Sequence, residues 1–158
     1  TGWLLGSFAG AHWRDVALVA ALLAVGIVVL QPLARSLDAL ALGEREASDL
    51  GVPVERVRAL AIAAASLLTA GTVAVAGSIS FVGLVAPHIV RLAAGPGHRF
   101  LLPTSAVAGA ALCGLADLAA RTVALPQEVP IGVVTALVGG PFFLWLVRRA
   151  RVRAVVVR

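Results

Sequence analysis

Asp117 and Arg121 stand four residues apart. On a helix that spacing places a carboxylate and a guanidinium on one face, where they pair with each other or present charge to a second protein. Glu44, Arg45, Glu46 and Asp49 form another charged group, set in the run Leu42-Gly43-Glu44-Arg45-Glu46-Ala47-Ser48-Asp49-Leu50-Gly51-Val52. That run is polar and helix-competent, suited to contact rather than to bond breaking. His12, His88 and His98 lie on separate segments without an H-E-x-x-H motif and are read as lacking an acidic ligand at helical spacing, so no metal site is expected. The chain has no lysine and hence no G-x-x-x-x-G-K-S/T phosphate loop, so any ATP chemistry belongs to a partner chain. A G-x-S-x-G elbow is also missing, which leaves an intramembrane hydrolase without support. Cys113 is the single cysteine and is expected to pack as a small apolar residue.

The elements that must position these groups are apolar. Of 158 residues, 60% are hydrophobic and 13% charged. The mean hydropathy is +1.00. This composition exceeds the roughly half-apolar content of soluble domains and indicates an integral membrane chain. Apolar runs of about 17 to 25 residues recur, long enough to cross a hydrocarbon core of about 30 Å as helices. The alternation of a membrane β-barrel does not occur. The expected fold is all-α, a polytopic transmembrane bundle with five spans near Val16 to Leu33, Ala59 to Ala76, Ile79 to Ala93, Leu101 to Val123 and Ile131 to Val147. The third is short and holds Gly83 and Pro87, which predicts a tilted, kinked or partly broken segment.

Arginine placement orients the bundle, because cytoplasmic loops retain basic residues. With the 35–58 stretch inside, Arg35, Arg45, Arg56, Arg58, Arg91, Arg99, Arg148, Arg149, Arg151, Arg153 and Arg158 fall inside, and only Arg14 and Arg121 outside, eleven against two. The polar run and the C-terminus therefore face the cytoplasm. A basic tail beside an anionic leaflet accounts for the net charge of +5 without nucleic acid. Trp3 and Trp13 suit the outer interface. A start at Thr1 and the absence of methionine suggest part of a longer membrane protein.

Locally, Ser36 is a candidate cap for a short helix, Ala47 and Leu50 make an apolar patch, Gly51 suits a left-handed helix end, and Pro53 begins a second short helix with Glu55, Arg56 and Arg58. One reading is a solvated loop with helical ends; the other is a docking knob for a cytoplasmic motor. Phe81, Gly83, Pro87 and His88 divide similarly between a translocation path and a simple kink. Gly132, Gly139, Gly140 and Pro141 permit close approach and a bend in the last span, and Ala70, Ala74 and Ser78 form a small-residue stripe in the second.

Several motifs in order carry a resemblance over essentially the whole chain. They are the polar run, the 77–92 segment GSISFVGLVAPHIVRL, Gly97-His98-Arg99 to Leu102-Pro103, Asp117 with Ala120-Arg121, and Pro130-Ile131-Gly132-Val133-Val134-Thr135 to Gly139-Gly140-Pro141-Phe142-Phe143. Together they resemble the FecCD-type permeases, membrane subunits of ATP-binding-cassette importers for iron-siderophores, haem and vitamin B12. Family members have about ten spans, so the resemblance implies the C-terminal half of a permease in the bacterial inner membrane. It also implies that Leu42, Gly43, Glu44, Ala47, Leu50 and Gly51 couple to a cytoplasmic ATP-binding subunit. Arg121, with Asp117 and Glu128 nearby, would dock an extracytoplasmic solute-binding protein, and a second permease copy would complete a central path. No cofactor is expected on this chain, ATP being bound by the partner. A metal-ion permease of related type would need intramembrane His, Asp or Glu clusters, and a purely structural membrane module would have no motor partner.

Overall fold

Helix formation follows the apolar runs, and their ends follow the breakers. The computed structural model describes residues 6–8, 10–123 and 130–156. Six helices run through them: α1 (Trp13–Leu40), α2 (Glu44–Asp49), α3 (Val54–Ala76), α4 (Val82–Ala94), α5 (His98–Val123) and α6 (Ile131–Val156). At about 1.5 Å per residue, α1, α3, α5 and α6 are long enough to cross a membrane, whereas the 13 residues of α4 reach only about 20 Å. Of the five expected spans, the third is thus the short one, with Gly83 and Pro87 inside a continuous helix. It begins three residues later than expected because Gly77 ends α3 at φ +73 and Phe81 sits left-handed at φ +65.

Two expectations about the polar run change. Ser36 caps nothing: it lies inside α1, which continues past Leu33 because Leu33, Leu37 and Leu40 keep helical apolar spacing. The short helix after Pro53 is not separate either. No breaker stands between Arg58 and Ala59, so it is the first turn of α3.

The long helices pack in two groups. In the first, α1 and α3 run antiparallel, the Leu68 side chain resting on Gly26 of α1 and Leu22 resting on Gly71 of α3. A β-carbon at either glycine would collide with its leucine, so both glycines set the close approach. In the second, α4 packs on α5 and α6, and α1 bridges to α5. Leu18, Leu23, Val28, Ile62 and Leu67 remain exposed, and the apolar windows of α1 and α3 are only 6% buried. These outward faces are solvated by hydrocarbon or by further protein, not by water. At the end opposite the polar run, the amide of Ser7 donates to the Ala76 carbonyl (3.0 Å) and the amide of Ile131 donates to the Gly6 carbonyl (3.1 Å), tying residues 6–8 to α3 and α6.

Candidate functional site

The polar run folds into a small rigid projection. α1 ends at Leu40 in a tight turn, with the Leu42 amide donating to the Ala39 carbonyl (3.0 Å) and the Gly43 amide to the Leu40 carbonyl (3.2 Å). Gly43 then takes φ +138, a value that side chains rarely adopt, and α2 begins. Glu44 and Glu46 in the first turn suit the positive end of the helix. At its far end the amide of Gly51 donates to the Ser48 carbonyl (2.9 Å) and that of Val52 to the Ala47 carbonyl (3.0 Å). With Gly51 at φ +78, this is a Schellman termination, which satisfies the orphan carbonyls of a six-residue helix.

The predicted patch divides between two faces. Ala47 is fully buried at 0% exposure and anchors α2 to the bundle, so it does not share a surface with Leu50. Leu42 (72%) and Leu50 (68%) instead expose large apolar side chains at the two ends of α2, with Arg45, Ser48 and Asp49 also exposed. Glu44 is drawn back to the bundle, where Arg58 on α3 donates to its carboxylate and also reaches Glu55 at 3.4 Å. Residue spacing gave no sign of this Glu44 to Arg58 link, since the partners belong to different helices.

Near the same end, Asp38 meets His98. One carboxylate oxygen, Oδ1, accepts the His98 backbone N–H at 2.9 Å and faces Nδ1 of its ring at 2.6 Å. Two turns deeper, the Gln31 side-chain amide donates to the Arg99 carbonyl at 3.0 Å. That carbonyl is free because Pro103, four residues on, has no N–H to offer it. Both ties were missed from sequence, lying 60 and 68 residues apart along the chain.

At the opposite end, Arg121 Nε donates to Asp117 Oδ2 at 2.9 Å, with half of the arginine side chain exposed. Asp117 and Arg121 are brought together as their spacing predicts; Glu128 lies outside the described residues.

Of the four path or kink residues, Phe81 and His88 face α6. Phe81 lies directly on Gly139, where a β-carbon would collide with it, and its ring is 6.5 Å from that of Phe143. His88 meets Phe142 edge-on at 5.6 Å. Gly83 is exposed and Pro87 half-buried, and the missing Pro87 N–H leaves the Gly83 carbonyl without its helical donor. A cavity of about 180 Å³ lies between α4, α5 and α6, bounded by Phe81, Val85, Leu112, Ala116, Val138 and Gly139. Thr135 is the buried polar residue beside it, its hydroxyl donating to the Gly132 carbonyl at 3.1 Å. Gly140 has open space around it.

Among the described residues no three His, Cys, Asp or Glu side chains cluster as metal ligands. His12 does have an acid three residues on, contrary to the reading above. Asp15 accepts the His12 backbone N–H at 2.8 Å and so caps α1. Cys113 is half-buried in α5.

Comparison with known proteins agrees with this architecture. The cobalamin import system permease protein BtuC of Halobacterium salinarum is 48% identical over 152 residues, 96% of this chain and 41% of that protein. The hemin transport system permease protein HmuU of Yersinia pestis is 41% identical over 94% of this chain and 45% of its own. The Fe(3+) dicitrate transport system permease protein FecD of Escherichia coli is 44% identical, with 94% and 47% covered. The chain thus spans somewhat less than half the length of these curated relatives. A solved inward-facing structure of an ABC transporter superposes with a TM-score of 0.84 at 38% identity, covering 93% of this chain and 47% of that one. The model of the FecCD transport family matches residues 1–149, and the chain belongs to that family.

Proposed function

We propose that this chain is the C-terminal half of the permease subunit of an ATP-binding-cassette importer in a bacterial inner membrane. A cytoplasmic ATP-binding subunit supplies the energy through α2, and a solute-binding protein delivers cargo at the Asp117 and Arg121 end. A second permease copy completes the path. The cargo class is a metal chelate or tetrapyrrole: iron-siderophore first, with haem and cobalamin as the other candidates, since relatives are named for cobalamin, hemin and ferric citrate import.

The observation that carries this reading is the form of α2. A six-residue helix closed at both ends by glycines, anchored by buried Ala47 and presenting Leu42 and Leu50, moves as one piece when pushed. A solvated loop needs neither the anchor nor the two exposed leucines. Burying each leucine against a partner is worth about 1.5–3 kcal/mol, and the charges around them set orientation and on-rate. Glu44, already paired with Arg58, contributes by holding α2 in place.

The test is co-purification of the ATP-binding subunit with the full-length permease in detergent, with and without the combined Leu50→Arg and Gly51→Trp change. Retention by the unaltered protein and loss by a folded variant is the expected result. If both forms retain it, the motor is held elsewhere than at α2; if neither retains a folded ATP-binding subunit, the chain is a structural membrane module.

A further inference from the structure

We propose that Asp38 and His98 form the joint through which movement of α2 reaches α5, and that Asp38 is a positioning residue for transport. The inference rests on the importer reading above. Asp38 stands two residues before the end of α1, and three hydrogen-bonded turn residues, Ala41 to Gly43, connect that end to α2. Displacement of α2 therefore displaces Asp38. His98 is the first residue of α5, and the chain before it is Gly95-Pro96-Gly97, with Gly95 at φ +87. α4 packs along α5, but the Gly-Pro-Gly link leaves the first N–H of α5 to be capped from α1. The Asp38 carboxylate accepts that backbone N–H and faces the imidazole. A negative charge at that point also suits the positive end of the helix.

A second tie keeps the joint in register. Gln31 lies two turns before Asp38 on the same face of α1, and Ala34 between them is buried, which lets α1 approach α5 closely. Gln31 satisfies the Arg99 carbonyl that Pro103 leaves free, so α5 is gripped over its first turn from one helix face. From His98, α5 continues for about 29 Å to Asp117 and about 35 Å to Arg121 at the other end. One helix thus links the motor side to the binding-protein side, and Asp38 is its connection to α2.

The test uses the full-length permease with its ATP-binding subunit and binding protein in proteoliposomes. Uptake of radiolabelled ferric citrate, cyanocobalamin or haemin is measured per ATP hydrolysed, whichever probe the unaltered transporter accepts. Asp38→Leu removes both contacts and is expected to lower uptake per ATP at least fivefold while the ATP-binding subunit stays bound. Asp38→Asn keeps an oxygen acceptor for the His98 N–H and is expected to stay within about twofold of the unaltered protein. His98→Ala keeps the backbone contact, loses the ring and falls between them. An unchanged ratio in Asp38→Leu and His98→Ala, or a proportional fall in uptake and hydrolysis, overturns the proposal. If the leucine variant does not assemble, the alanine variant decides by the same ratio. Failure of the unaltered permease to retain an ATP-binding subunit would instead defeat the importer reading.

Discussion

Glu44 at the start of α2 pairs with Arg58 on the first turns of α3, 14 residues along the chain. The contact closes the turn between the two helices into a ring, so α2 is fixed by a side-chain tie at its start and by buried Ala47 in its middle. Both partners are more than a third exposed, at 66% and 39%. Solvent screens such a pair, and its coupling is expected at about 0.2–1 kcal/mol. Glu44→Gln and Arg58→Ala should each weaken retention of the ATP-binding subunit several-fold in low salt, and the double variant should be no worse than Arg58→Ala alone. A double-mutant cycle on subunit affinity reads this directly. Additive losses would mean that each residue contacts the motor independently.

Gly51 is required for its backbone angle and not for room, because a β-carbon there meets nothing within 4 Å. Gly51→Ala is therefore expected to destabilise the end of α2 by about 1 kcal/mol, and Gly51→Asn by less, since asparagine tolerates the left-handed region. Proteolysis after α2 in the full-length permease should rank the three as glycine, asparagine, alanine from slowest to fastest. Equal rates would show that the Schellman turn does not limit opening of this segment.

Phe81 and Gly139 are a complementary pair. The left-handed Phe81 costs about 1–2 kcal/mol and is held there by packing against the glycine and Phe143. Gly139→Ala should overpack the α4 to α6 contact by about 1–3 kcal/mol. Combining it with Phe81→Gly should recover part of that loss, because the atom nearest the new methyl is the Phe81 β-carbon, which glycine lacks and alanine would keep. Thermal unfolding of the full-length permease in detergent gives the comparison; no recovery in the double variant would place the strain elsewhere.

Local features were legible in the sequence. Gly51 announced the end of α2, the short apolar run announced the short fourth helix, and the i,i+4 spacing of Asp117 and Arg121 announced their ion pair. Ties between helices were not. Asp38 reads as one more acid at a helix end, and nothing near it indicates a histidine 60 residues away. Ala47 shows the same limit. Its spacing to Leu50 is right for a shared face, yet a six-residue helix lying against a bundle buries one residue and exposes the other. α1 was expected to end near Leu33 with Ser36 capping a separate short helix, but Leu33, Leu37 and Leu40 continue it to Leu40. Gly26 and Gly71 are seats for leucines of the facing helix, a role that depends on which helices pair and not on the residues around each glycine.

Arg121 and Asp117 offer the last test. Their contact at 2.9 Å leaves half of the Arg121 side chain exposed, so a charge is held in a set direction at the end of α5 away from α2. If that charge meets a carboxylate on a binding protein, Arg121→Glu should weaken binding-protein affinity at least tenfold, with most of the effect lost at high salt, because contacts of this kind act through steering and screen accordingly. Asp117→Asn leaves the arginine charged but removes the carboxylate that Nε donates to, and a smaller loss of about two- to threefold is expected. Exchanging the two, Asp117→Arg with Arg121→Glu, keeps an i,i+4 ion pair, in an order weaker by a few tenths of a kcal/mol. It should nevertheless bind as poorly as Arg121→Glu. Surface-plasmon measurements on the reconstituted permease separate these cases, and an exchanged variant with normal affinity would show that the pair serves the helix alone.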